Sequence, residues 1–382
     1  MSQTVYIHAL GLTSAMGTGL EAHRQALARA PKLSETRAYS PAQVRPLGVV
    51  NCALPDLSHS PKAAQSRNNQ LLWSAWLQLA GHWARLAVDP ARVAVIIGTS
   101  TSGIGDNEAD FAPGADTVPL YERQQIAAPA RFLASELGIS GPAYTLSTAC
   151  TSGAKAIAAG RRLLQAGVVD WVIAGGADAL CGLTVQGFSA LDAISDAPCN
   201  PMSANRAGIN IGEAAALFLL SRTPAEIAVT GVGESSDAHH ISAPDPQGAG
   251  AEQALRAALA DARLAPGDVG YLNLHGTATE LNDKMEAHAV ARVFPEALPC
   301  SSTKPFTGHT LGAAGALEAG LCVLALQTGE LPPHHWDGQA DSALPALNLV
   351  RPGTHAACVH AMSTSFAFGG NNIALLLSRV SN

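Results

Sequence analysis

The sequence predicts a layered α/β protein built from two similar halves, and three observations carry that expectation. Short apolar runs end in Gly- or Ser-rich turns and alternate with Ala-rich helical stretches. Those runs are apolar without a polar alternation, the pattern of strands covered on both faces. Short motifs also recur in the same order along the chain. The strand candidates are 93–97, 171–174, 215–220, 271–274 and 373–377. The helical candidates are 71–79, 152–164, 251–260 and 312–326. Gly98-Thr99-Ser100-Thr101 after one strand is echoed by Gly276-Thr277-Ala278-Thr279 after another. Ser147-Thr148, Gly153 and Ala159-Gly160 are echoed at the same spacing by Ser302-Thr303, Gly308 and Ala314-Gly315. The halves are expected to be 1–222 and 223–382, while 30–61, rich in Pro and Ser, reads as a surface excursion.

Composition narrows the function classes. Of 382 residues, 47% are hydrophobic and only 14% charged, enough for a large core. A net charge of −7 argues against nucleic acid, which needs a basic footprint. Apolar runs such as 214–220 fall short of the roughly 20 residues of a membrane span. The first twelve residues lack a basic segment followed by an apolar core and a cleavage site, so a cytoplasmic location is expected. Seven scattered cysteines without a CxxC pair fit reduced thiols better than disulfides or zinc.

One of those cysteines is placed differently. In Leu146-Ser147-Thr148-Ala149-Cys150-Thr151-Ser152-Gly153-Ala154 a strand ends and an Ala-rich helix begins at once. Cys150 at a helix start meets unpaired N–H groups and a dipole that favour thiolate, and the same amides can hold an oxyanion. An arbitrary cysteine at such a joint is more often plain core, so position alone does not settle its role. In Asn273-Leu274-His275-Gly276-Thr277-Ala278-Thr279 a strand delivers His275 into a small-residue turn, followed by Asp283 and Glu286. Ser301-Ser302-Thr303-Lys304-Pro305-Phe306-Thr307-Gly308-His309 sets Lys304 and His309 before a helix that carries Glu318. A lone histidine is usually structural. Two of them and a lysine at strand-to-helix turns, with a cysteine at a helix start, point jointly to catalysis.

The segments Thr148–Gly153, His275–Thr279 and Lys304–His309 resemble the Cys–His–His signature of β-ketoacyl-acyl-carrier-protein synthases I and II. Ala174–Asp178, Asn205–Gly208, Gly212–Ala214 and Ser365–Asn372 match in family order, so the resemblance runs from about residue 90 to the end. It implies a thiolase fold, five layers αβαβα with two central sheets and two duplicated halves, and a dimer. It implies β-ketoacyl synthase activity in fatty-acid, polyketide or aryl-polyene elongation. An acyl group would pass to Cys150, and malonyl-carrier protein would then be condensed by decarboxylation. By the same resemblance, the amides of Cys150 and Phe368 form the oxyanion hole, and neutral His275 and His309 bond the malonyl thioester oxygen. Lys304 orients His309, Glu318, Asp283 and Glu286 support the charges, and Thr277 and Thr279 bond the phosphopantetheine arm. Phe366 and Phe368 gate the acyl pocket, Thr101 lies near its floor, and Arg206 meets the acidic carrier protein. Lys62 and Arg67 are weaker candidates for that contact. Ala367 and Ala214 stand where the family commonly has glycine, and an alanine at 367 restricts φ > 0.

The expected partners are an acyl carrier protein and either a second copy or a ketosynthase-like sister subunit. No resident cofactor or metal is expected, since substrates arrive on the carrier's phosphopantetheine. A metal site from His275, His309, Asp283 and Glu286 fits on ligand type but has no metal-type spacing such as HExxH. Thiolases add a second cysteine near the C-terminus and type III synthases an Asn, where this chain has His309. The rival of another class is a non-catalytic chain-length-factor subunit, which would lack the nucleophile. Cys150, His275, Lys304 and His309 argue for the active member.

Overall fold

Ten strands carry the architecture of the computed structural model, which describes residues 4–40, 43–112 and 114–380. Residues 1–3, part of the N-terminal stretch read above, lie outside the described residues. The first half contributes β1 (Val5–Ser14), β2 (Val93–Gly98), β3 (Ala143–Leu146), β4 (Trp171–Asp178) and β5 (Ala214–Ser221). The second contributes β6 (Ile227–Ser236), β7 (Tyr271–Asn273), β8 (Pro299–Ser301), β9 (His360–Phe366) and β10 (Asn371–Arg379).

Strand order repeats between the halves. The first runs β3-β2-β4-β5-β1 and the second β8-β7-β9-β10-β6. In each, the three strands at one end are parallel and the other two antiparallel. The expected two sheets are not separate. Val5, Tyr6 and Ile7 of β1 pair with Val229, Ala228 and Ile227 of β6 and join them into one sheet.

Helices α1 (Arg67–Trp83) and α2 (Ala128–Glu136) cover the outer face of the first half. Helix α3 (Ser152–Gln165) follows β3, and α4 (Gly182–Ala190) follows β4. Helices α5 (Ala249–Ala262) and α6 (Glu280–Val293) cover the outer face of the second half. Helix α7 (Ala314–Thr328) packs with α3 between the two sheet halves, giving five layers αβαβα. Strands that are apolar on both faces have helices on both faces. The inner core contains Ile157 and Leu317, one outer core Leu72 and Leu219, and the other Leu255 and Leu376.

Small residues set the α3–α7 crossing. A Cβ on Gly153 would stand 2.8 Å from the Gly312 carbonyl oxygen, and one on Gly315 2.8 Å from Ala154 Cβ. The true counterpart of Gly153 is therefore Gly315, not Gly308. Gly308 has φ +67° and ends the short helix Lys304–Thr307, which is inserted before α7. The other echo falls where expected, after the matching strands β2 and β7.

Two further expectations change. Helix α7 with its preceding turn, Leu311–Thr328, is long and apolar enough to cross a membrane, longer than the apolar runs anticipated above. It is 89% buried in the protein, as a core helix is. The supposed surface excursion forms a hairpin, Ser34–Thr36 with Arg45–Leu47, and the second of these strands is buried. Residues 41 and 42, between them, lie outside the described residues.

Candidate active site

The turn between β3 and α3 presents Cys150. Ala149 adopts φ 52°, a left-handed conformation that costs a non-glycine residue about 1–3 kcal/mol. Ser152 holds the turn: its hydroxyl accepts from the Thr148 amide at 2.8 Å and donates to the Ala149 carbonyl at 2.6 Å. Cys150 Sγ lies 3.0 Å from His309 Nε2 and is buried. Burial pushes its thiol up to about 12, against the pull of Lys304. Removal of the sulfur from water works against the thiolate expected from position. The resting nucleophile is a hydrogen-bonded thiol.

His275 follows β7 in a turn whose Gly276 and Ala278 take φ 38° and 64°. Helix α6 holds that turn through its carboxylates. Glu286 accepts from the His275 and Gly276 amides, both at 2.7 Å, and from the Thr364 hydroxyl at 3.0 Å. Asp283 accepts from the Met202 amide at 2.8 Å and the Ala278 amide at 3.1 Å. Burial raises both carboxyls, Glu286 to about 7. Asp283 and Glu286 thus support the site through backbone amides, and as metal ligands with the histidines they do not serve.

His309 is fixed by backbone bonds: its amide donates to the Asn210 carbonyl at 2.6 Å, and its carbonyl accepts from Gly212 at 2.9 Å. The two imidazoles meet edge to face, centroids 5.2 Å apart. Burial, reinforced by Lys304, holds both well below the ordinary histidine range, so both are neutral. Lys304 serves His275 rather than His309. Its ammonium donates to the His275 carbonyl and to Glu318, and lies 3.4 Å from His275 Nδ1. An ammonium can only donate, so His275 Nδ1 accepts and its proton resides on Nε2. His309 Nδ1 is buried with no hydrogen-bond partner among the described residues, which leaves the tautomer of that ring unconstrained. Burial pushes the Glu318 carboxyl up to about 7, opposed by Lys304.

Cys150, His275 and His309 line a cavity of about 440 Å³. Phe366 and Phe368 form part of its wall, the Phe368 ring 5.5 Å from that of Phe188 on α4. Thr277 and Thr279 also line it, their hydroxyls 2.9 Å apart. Ala367 is not in the left-handed region, so alanine costs the backbone nothing in this conformation.

Three assignments change. Thr101 does not line the cavity; its hydroxyl donates to Asp178 at 3.2 Å. Arg206 borders the cavity, but its side chain is only 6% exposed and paired with Asp341 at 2.6 Å, so it offers no free charge to a carrier. Arg67 bonds the fully buried Glu213 through two nitrogens, at 2.5 and 2.8 Å. Lys62 is exposed.

Asp178 and Glu213 are buried carboxylates within the sequence motifs, and both hold backbone amides. Asp178 accepts from the Thr99 hydroxyl and from the amides of Ser100, Thr101 and Gly312, tying the end of β2 to the approach to α7. Glu213 accepts from the amides of Val50 and Leu180 as well as from Arg67. A charged residue inside an otherwise small-residue motif was the available signal.

The chain is similar to known proteins. Residues 63–225 match the family model "Beta-ketoacyl synthase, N-terminal domain" and 226–336 the model "Beta-ketoacyl synthase, C-terminal domain". Nodulation protein E of Rhizobium meliloti is 36% identical over 308 residues, 76% of each chain. The 3-oxoacyl-[acyl-carrier-protein] synthase 2 of Staphylococcus aureus (strain COL) is 34% identical over 261 residues, 64% of this chain and 63% of that one. A chain from the structure of the ketosynthase ApeO with its chain length factor ApeC, from Xenorhabdus doucetiae, superposes with a TM-score of 0.94. It is 43% identical, and the match covers 99% of this chain and 98% of that one. The chain belongs to the β-ketoacyl synthase family, as an acyltransferase of the synthase I/II type on the thiolase fold.

Proposed function

We propose that the protein is the catalytic ketosynthase of a carrier-protein-dependent elongation system, acting through an acyl-Cys150 intermediate. The observation that carries this is the 3.0 Å contact between Cys150 Sγ and His309 Nε2 inside a cavity shared with His275. A partner subunit that only measures chain length has no use for it.

In the first step Cys150 attacks the carrier thioester. Its proton passes to His309 Nε2 and on to the departing phosphopantetheine thiol. The free tautomer of His309 suits it to this accepting role and to donating later. In the second step malonyl-carrier protein loses carbon dioxide. His275 Nε2–H, its tautomer set by Lys304, donates to the developing enolate oxygen together with His309. The carbanion attacks the acyl-Cys carbonyl. The amides of Cys150 and Phe368 hold the oxyanion, and the Cys150 thiolate leaves and takes up one proton from solvent. Thr277 and Thr279 stand at the cavity wall where a pantetheine arm would run. Substrates bring that arm with them, and no resident cofactor takes part in this scheme.

The carrier protein is the first partner, and a ketosynthase-like sister subunit or a second copy is the other. The likeness to a structure of a ketosynthase with its chain length factor favours the sister subunit. Acyl- and malonyl-carrier proteins, with and without that subunit, test the reading by product mass. A β-ketoacyl product that requires Cys150 supports it. A protein that forms none, yet stimulates another synthase, is the non-catalytic subunit instead.

A further inference from the structure

We propose that a third buried histidine, His334, is a positioning residue for condensation, setting Lys304 and His275 through the Ser302 amide; this rests on the ketosynthase reading above. His334 does not line the Cys150 cavity, and both of its ring nitrogens are used. Nδ1 lies 3.0 Å from the Ser302 amide nitrogen and Nε2 3.0 Å from the Pro201 carbonyl oxygen. An amide N–H can only donate and a carbonyl only accept. Nδ1 therefore accepts, Nε2 carries the proton, and the ring is neutral. Burial, which holds this histidine down to about 4, acts in the same direction. The backbone beneath the ring is fixed too. The His334 amide donates to the Val350 carbonyl at 2.8 Å, and the Val350 amide donates to the Cys300 carbonyl of β8 at 2.9 Å.

The contact with Ser302 leads straight to the catalytic turns. The Ser302 hydroxyl donates to the Gly276 carbonyl at 2.7 Å. Two residues on, the Lys304 ammonium donates to the His275 carbonyl and lies 3.4 Å from His275 Nδ1. The two turns have no slack between them, since a Cβ on Gly276 would stand 2.5 Å from Ser302 Cβ. A displaced Ser302 would carry Lys304 with it and release the tautomer and aim of His275. Small misplacements far from the reacting atoms can cost about 10²-fold in rate. His309 hangs instead from the Asn210 carbonyl and the Gly212 amide, so its contact with Cys150 stands apart from this bracket. The loss should fall on decarboxylative condensation and spare acyl transfer to Cys150.

Two near-isosteric substitutions test this. His334→Asn keeps an acceptor oxygen at the place of Nδ1, whereas His334→Gln keeps a donor nitrogen at the place of Nε2 and loses that acceptor. Single-turnover acylation and condensation are measured on the folded wild type and both variants. Imidazole nitrogen shifts are read by NMR on histidine-labelled protein. Condensation should slow by about 10–10²-fold in His334→Gln and stay within about threefold in His334→Asn, with acylation within about twofold in both. The His275 shifts should keep the Nε2–H pattern in His334→Asn and lose it in His334→Gln. Equal losses in both steps, or unaltered condensation and shifts in His334→Gln, would overturn the proposal. So would an Nδ1–H tautomer at His334 in the wild type, a result that needs no variant. A wild type that neither acylates nor condenses sinks the function above, and the nitrogen shifts then decide this proposal alone.

Discussion

The chemistry turns on how burial sets protonation at three side chains. With its thiol pushed up to about 12, Cys150 in the free protein holds little thiolate near neutrality. Below that value the thiolate fraction grows tenfold per pH unit, so carboxymethylation of Cys150 should rise log-linearly from pH 7 to 9. A plateau below pH 8 in a mass-resolved rate profile would contradict the buried-thiol state. The histidines should separate by step. His275→Ala should cut condensation by about 10²–10³-fold while acyl transfer to Cys150 survives, because His275 meets only the enolate. His309→Ala should impair both, as single-turnover acylation and product assays will resolve. Cys150, His275, Lys304 and His309 were legible because each lies in a short motif between a strand and one of the long helices. The partner of Lys304 was not, since which histidine a long side chain reaches depends on the packing of the two turns. Arg206 and Thr101 were misread for the same reason: Asp341 and Asp178, which occupy them, are distant in sequence.

Elements hold those side chains through close approach and buried acceptors. Gly153 and Gly315 let α3 and α7 touch, and Gly176 in β4 lets the Gly312 turn settle on the strand, since a Cβ there would stand 2.7 Å from the Gly312 oxygen. Gly153→Val should cost about 1–3 kcal/mol by overpacking, seen as a lowered midpoint in denaturant with unchanged slope. Arg67→Ala strands the buried Glu213 carboxylate and should cost about 3 kcal/mol, the low end of the buried-pair range because the guanidinium is one-third exposed. Helices α1, α3, α5 and α7 were read well because their apolar, Ala-rich runs are long, whereas α2, α4 and α6 were not read. Strand β4 was cut short at Ala174, since Gly175 and Gly176 look like a turn until the neighbouring backbone is in view. Strand β1 escaped detection altogether. His8 and Gly11 interrupt its apolar run, and Gly11 is there because the Ala75 carbonyl of α1 presses on it, 2.0 Å from where a Cβ would sit.

At the scale of the molecule, duplication places Cys150 and His309 at matching points, each between a parallel strand and a central helix. The repeated motifs pointed to this, although insertion of the Lys304–Thr307 helix shifted their apparent register. The sheet ends at β3, which pairs only with β2 among the described residues. An open edge of this kind is a template for a second sheet. If the proposed assembly uses it, Thr145→Pro should convert a dimer to monomers in light scattering, and an unchanged mass would place the interface elsewhere. None of that bears on the central claim as directly as one mass measurement. Incubated with acyl-carrier protein alone, the wild-type protein should gain one acyl group, mapped by peptide mass to Cys150 and absent from Cys150→Ala. An adduct that persists in Cys150→Ala, or none on the folded wild type, would contradict the account.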